Sequence, residues 1–243
     1  MAQRGARLAR FDCVLANPPF SLKNWGHESW GTDKWGRNTL GGIPPQGYAD
    51  WAWVQHMVTS SNPKTGRIAV VLPQGALFRQ GAEAKIRSHI LKSGMVEAVI
   101  GLAPTLFYGT GFTACVLILR RNRPEDQKQN VLFINGEQLF RRGRNQNTFE
   151  PEHAAAILDA YTAYEDVDGL AKVVSLTDIK ANSDNLNIPL YVQTDSGQQE
   201  GTLREALEAL EAAQSHAAQT RAELEEQLAS WGLAEDDIKE IAQ

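Results

Sequence analysis

Phe11-Asp12-Cys13-Val14-Leu15-Ala16-Asn17-Pro18-Pro19-Phe20 is the stretch that decides the fold. Its first six residues form a short, mainly apolar run that reads as a buried strand, and the next four break it. Strand followed by breaker is the ordinary way to end a central strand. Two successive prolines fix the backbone just past Asn17, and Pro18 pushes Asn17 itself out of the helical region into an extended conformation. The Asn17 amide therefore projects at the carboxyl edge of a sheet, where open α/β folds place their ligands. An aromatic ring follows at once.

Outward from this stretch the chain alternates helices and strands. Residues 21–47 make a long connection rich in Gly and Trp, with Trp25, Trp30 and Trp35 but no helical or strand period. Connections this long inside a domain are functional or disordered, and the tryptophans argue against a solvated linker. Two readings stand: a loop packed on its own aromatics, or a flap beside Asn17. Trp51, Val54 and Val58 predict a helix over 48–60. Residues 67–72 are almost wholly apolar, as in a strand buried on both faces. Ile86 and Ile90, four apart, predict a helix over 80–93 that Gly94 caps. Strands are expected over 96–102, 113–120 and 131–134, with an aromatic loop, Leu106-Phe107-Tyr108-Gly109-Thr110-Gly111-Phe112, between the first two. A lone GxG there is weak evidence for phosphate binding, because it runs from strand to strand with no helix N-terminus. This order gives an α/β sheet finished by an antiparallel strand. Residues 151–164 read as a short helix and 186–191 as an extended segment.

Composition excludes several classes. No run approaches the roughly 20 apolar residues of a membrane span, and the basic start has no apolar region of signal-peptide type. Cys13 and Cys115 both lie in apolar strand-like runs and are expected as buried, reduced thiols, which fits a cytoplasmic protein. The histidines make no close pair, so a metal site has no support. Net charge is −5, but residues 200–243 carry 11 acidic and 3 basic residues, net −8, leaving +3 for the remainder. Arg141, Arg142 and Arg144 cluster in a loop; most such clusters are solvated surface, and phosphate contact is the minority reading. From Leu203 to Leu228, steps of four and three form a heptad seam, weakened at Gln214 and Arg221. It reads as one amphipathic helix packed on its own domain or, preferably, as a helix that pairs with another chain.

The Asn17–Phe20 arrangement suits one chemistry. An exocyclic amine on a purine or an amide is a poor nucleophile because its lone pair is delocalised. A side-chain carbonyl and a backbone carbonyl that accept its two N–H hydrogens hold it in the pyramidal, attacking form, while a following ring stacks on the group that carries the amine. A strand end with a turn is the plainer reading of an NPP tripeptide alone. The strand before it and the aromatic after it favour the chemical one. The stretch resembles motif IV of amino-group methyltransferases that use S-adenosylmethionine. The order NPPF, IPPQGYADWAWVQHM, GRIAVVLPQGALF, EAKIR, LFYGTGFTACVLILRR, NLNIPLY and a terminal helix resembles the modification (methylation) subunit of type I restriction–modification systems over roughly residues 10–192.

That resemblance implies a partial Rossmann-like methyltransferase sheet and methyl transfer to N6 of adenine in DNA, on a base flipped out of the duplex. It implies Asn17 and Pro18 at the amine, with Pro19 beside them, Phe20 stacked on the base, and Phe107, with Tyr108 behind it, as a second aromatic contact. It implies S-adenosylmethionine as cofactor and DNA, a specificity subunit, a restriction subunit and a second modification subunit as partners. One departure stands out: the family's Gly-rich cofactor turn lies well upstream of NPPF, and the sixteen residues before Asn17 have no such pattern. The chain is therefore expected as the C-terminal half of the subunit. On this reading 1–145 is part of the catalytic domain, 146–199 an extension and 200–243 an acidic helical tail. The chain alone is expected to be inactive, its cofactor-binding residues unassigned. Two alternatives remain: a non-catalytic fragment that only docks on a specificity subunit, and a protein-glutamine methyltransferase.

Overall fold

The computed structural model describes residues 3–4, 7–107, 113–144 and 146–193, together with 210, 214–215 and 217–222. The chain divides into two compact units, Met1–Thr194 and Asp195–Gln243. In the first, β1 (Gln3–Arg4) and β2 (Arg7–Leu8) form a small antiparallel ribbon. All the other described strands join one sheet. They are β3 (Cys13–Ala16), β4 (Arg67–Pro73), β5 (Val96–Gly101), β6 (Ala114–Arg120), β7 (Asn130–Asn135) and β8 (Ala171–Ser175), in the order β3-β4-β6-β5-β7-β8.

The sheet is mixed in a definite way. β3 runs parallel to β4, and β7 parallel to β5. β6 is antiparallel to both β4 and β5 and lies between them. The strand expected to finish the sheet is thus an interior one, and β7 returns to the parallel direction. The closing antiparallel strand is β8, paired with β7. The sequence reading left 171–175 unassigned because only two adjacent valines mark it. β3, β4, β5 and β7 therefore all end at one edge, which places Asn17 beside the loops that follow the other three.

Helices α1 (Asp50–Ser60) and α2 (Ala82–Lys92) cover one face. Trp51, Val54 and Val58, together with Ile86 and Ile90, are wholly buried there, as their spacing predicts. They pack on Ile68, Val70 and Leu72 of β4, each of which contributes about 1.5–3 kcal/mol by burial. Helix α3 (Pro151–Ala163) lies on the other face, with Ala160 packed among Ala98, Ile100, Leu132 and Ile134. β5 is consequently buried along its whole length, whereas in β4 Ala69 and Val71 are only half-buried. The expectation that β4 is buried on both faces fails for that reason: the core under α3 is built on β5 and β7, and Ala69 and Val71 are not part of it.

Cys13 also departs from expectation. It is exposed, and Leu15 is 76% exposed, because β3 pairs on one side only among the described residues. Cys115, at the sheet's centre, is wholly buried, and burial pushes its thiol up to about 12, so it stays protonated.

Helix α4 (Leu176–Ala181) follows β8, and its N-terminus is capped by the Ser175 side chain. The segment expected to be extended at 186–191 contains instead a 3-10 turn, Ile188–Leu190. It folds back onto the sheet, where Tyr191 stacks on Phe133 at 4.3 Å. In the second unit the described residues 214–215 and 217–222 are helical and exposed. Half of the expected heptad seam, Leu203, Leu207, Leu224 and Leu228, lies outside the described residues. No helix among the described residues is long and apolar enough to cross a membrane.

Candidate active site at the carboxyl edge of the sheet

Asn17 leaves the end of β3 exposed to solvent, with Pro18 half-buried, Pro19 exposed and Phe20 half-buried. The backbone then turns through Ser21 at φ 49°, a left-handed conformation unusual for a residue with a side chain. A buried carboxylate holds that turn. Ser21 N–H donates to Asp50 Oδ1 at 2.8 Å and its hydroxyl to Oδ2 at 3.3 Å. Asp50 opens α1 and is 1% exposed. Behind it Arg79, from the segment between β4 and α2, donates to Asp50 and, through Nε, to Glu83 Oε2 at 2.6 Å. The Tyr48 ring faces the Arg79 guanidinium at 4.3 Å.

Burial shapes the protonation of this cluster. It pushes Glu83 above the ordinary glutamate value, only partly offset by Arg79. It pulls Arg79 down, but the hydrogen bonds and charges of Glu83 and Asp50 outweigh it and hold the guanidinium above its usual value.

Phe107 approaches from the loop after β5. Its ring meets that of Phe20 edge to face, with centroids 5.8 Å apart and planes at 70°. The two aromatics proposed for one base therefore come together across 87 positions of chain. Tyr108 lies outside the described residues. The Phe107 loop is held from the segment after β7. Gln146 Nε2 donates to Leu106 O at 2.6 Å, Asn147 Nδ2 to Pro104 O at 2.9 Å and Asn147 N–H to Thr105 O at 3.3 Å. Three consecutive carbonyls just before Phe107 are thus all bound by two adjacent residues.

The tryptophan-rich connection packs on its own aromatics and on α1. Trp25 and Trp30 meet edge to face at 5.1 Å, and Trp30 Nε1 donates to Gln55 at 3.2 Å. Arg37, ion-paired with Asp33, lies 4.0 Å from the Trp30 ring and 4.9 Å from that of Trp35. The ring that meets Phe20 is Phe107, not one of these tryptophans.

Sequence reasoning placed Asn17, Pro18, Pro19, Phe20 and Phe107 at this edge. It missed Asp50, Arg79, Gln146 and Asn147 as supports. Asp50 carried a signal, an acid in the first turn of a predicted helix, but one that also suits the helix dipole. Gln146 and Asn147 carried none, since they act on carbonyls some forty residues away. No group of metal-ligating residues occurs among the described residues. Nor, among them, does a GxG turn join a strand to a helix N-terminus, which a cradle for a nucleoside cofactor of this class needs. The described residues do not fit that group.

The chain superposes on the methyltransferase subunit of a type I restriction–modification system from Streptococcus thermophilus with TM-score 0.70 and 38% identity, over 76% of this chain and 39% of that one. The M protein of the type I restriction enzyme EcoKI shares the fold at TM-score 0.55 and 20% identity, over 89% of this chain and 50% of that one. In sequence, the N-6 DNA methylase family model matches residues 2–200, and the chain belongs to that family. It is 38% identical over 205 residues to the methylase subunit of the type I restriction enzyme MjaVII of Methanocaldococcus jannaschii, covering 81% of this chain and 35% of the relative. It is 33% identical over 200 residues to the HindI methylase subunit of Haemophilus influenzae, covering 79% of this chain and 44% of the relative. The chain thus spans well under half the length of these curated relatives.

Proposed function

We propose that this chain supplies the target-base pocket of a DNA N6-adenine methyltransferase, as part of the modification subunit of a type I restriction–modification system. The observation that carries the reading is the Phe20–Phe107 ring contact beside the exposed Asn17-Pro18 turn. The Asn17 side-chain carbonyl and the Pro18 backbone carbonyl accept the two N–H hydrogens of the adenine amine. Phe20 stacks on the flipped ring, Pro19 keeps the turn rigid, and Phe107 with Tyr108 bounds the pocket on the other side. S-adenosylmethionine is the methyl donor that the family implies. Its cradle is not formed by the described residues, so we assign it to other polypeptide and expect the 243-residue chain alone to be inactive. We assign 1–145 to the catalytic part, 146–199 to an extension that adds β8 to the same sheet, and 200–243 to a tail.

The tail supports a second role, docking on a specificity subunit: its described helical residues are exposed, Leu210 at 54%. The restriction subunit and a second modification subunit would join the same assembly in the cell's cytoplasm.

Asn17→Ala in the complex reconstituted with the missing half and the specificity subunit is the test. Transfer should fall by about 100-fold or more, the usual cost of one lost polar contact to a reacting group, while DNA affinity stays within about twofold. Wild-type transfer in the variant would remove Asn17 from the chemistry. Methylation of a protein glutamine instead of DNA would favour the other amine-methylating class.

A further inference from the structure

We infer that the turn carrying Arg142 and Arg144 is a phosphate-binding element for DNA, joined mechanically to the base pocket. The inference rests on the reading of Asn17, Phe20 and Phe107 as that pocket and goes beyond it by naming where the backbone of the nucleic acid is held. Arg141 and Thr148 pair backbone to backbone, at 2.9 and 3.0 Å, and close a short antiparallel turn between them. The turn follows β7, so it stands at the same sheet edge as Asn17.

Its three arginines are not equivalent. Arg141 Nε is engaged by Glu150 Oε1 at 3.0 Å. Arg142 and Arg144 are exposed, and neither has a hydrogen-bond or ion-pair partner among the described residues. Two exposed guanidiniums two positions apart in one turn suit phosphate oxygens, which each can bind through paired N–H donors. The same turn supplies Gln146 and Asn147, whose bonds to the carbonyls of residues 104–106 fix the chain just before Phe107. A cationic turn and a base-contacting ring are therefore held as one piece. The class of ligand follows: a nucleic-acid strand whose base enters at Phe107 while its phosphates lie on Arg142 and Arg144.

The experiment uses the 243-residue chain and a labelled duplex with 2-aminopurine at one unpaired position, read by anisotropy across a salt series and by aminopurine fluorescence. Arg142→Gln with Arg144→Gln should flatten the slope of log K against log salt by about 1.8, at about 0.9 per lost phosphate contact. Lys64→Gln with Lys180→Gln, two exposed lysines at the opposite edge of the sheet, should leave it unchanged. Phe107→Ala should keep the slope and lose the aminopurine signal. An unchanged slope in the arginine variant, an equal fall in the lysine variant, or no duplex binding at low salt overturns the inference. If the slope is unchanged while the aminopurine signal still depends on Phe107, the turn is excluded and the base pocket stands. A fallen slope with a signal indifferent to Phe107 upholds the turn and removes the pocket.

Discussion

The two loops that bring Phe20 and Phe107 together are held in opposite ways. The Phe20 turn is fixed by charge taken out of water: Asp50 and Glu83 are each 1% exposed, and Arg79 lies between them. The Phe107 loop is fixed by neutral amides, from the half-buried Gln146 and Asn147, on main-chain carbonyls. A buried carboxylate cannot let go of its partners without a large loss, whereas each neutral hydrogen bond exchanges with water at little net cost. One wall of the pocket is therefore rigid and the other adjustable. The base pocket proposed above would have use for both.

Removing Asp50 should have the largest effect. Asp50→Ala removes the buried acceptor of the Ser21 N–H and one of the two buried carboxylates on Arg79, and a loss of about 3–5 kcal/mol is expected from breaking one side of a buried charge cluster. Chemical denaturation measures it; a change below about 1 kcal/mol would mean that water replaces the carboxylate and that the contrast between the loops is false.

Glu83 gives an intermediate effect that depends on pH. Burial raises its pKa in the folded chain, so the folded state holds its proton over a range where the unfolded state has lost it. Stability from this group therefore falls as pH rises from the ordinary glutamate value to the raised one, and is flat above it. Glu83→Gln should abolish that slope in denaturation midpoints taken across the interval. An identical slope in the variant would assign it to another acid.

The smallest effect is expected at Gln146. Gln146→Ala removes one neutral hydrogen bond, worth about 0.5–1.5 kcal/mol. Global stability should barely move, while amide exchange at residues 105–107 should quicken. Unchanged exchange there would show that Asn147 alone secures the loop.

Much of this was legible in the sequence for physical reasons. Trp51, Val54 and Val58 had to share a helix face, and Asn17 had to end a strand, because spacing and proline geometry are local constraints. Phe20 and Phe107 were placed by the resemblance of their motifs, and their rings lie 5.8 Å apart. What failed was decided by neighbours distant in sequence. Cys13 looks interior by composition, yet its exposure depends on how many strands flank β3. Ala69 and Val71 look buried, yet α3 covers a different part of the sheet. The β8 strand is legible only from its partner β7, and the grip of Gln146 on Leu106 joins residues no periodicity connects.

The interior position of β6 has a consequence for biosynthesis. β4 and β5 follow each other along the chain but never pair; each waits for β6, and Pro73 meets Ala114. On a ribosome adding about 5–20 residues per second, the roughly 40 residues between them correspond to a delay of about 2–8 s. Throughout that interval β4 carries an apolar, unpaired flank, which is the feature that recruits foreign strands. The nascent chain is thus most in need of a chaperone not at its start but midway, and a translational pause placed before Ala114 should lower the soluble yield more than one placed after Arg120.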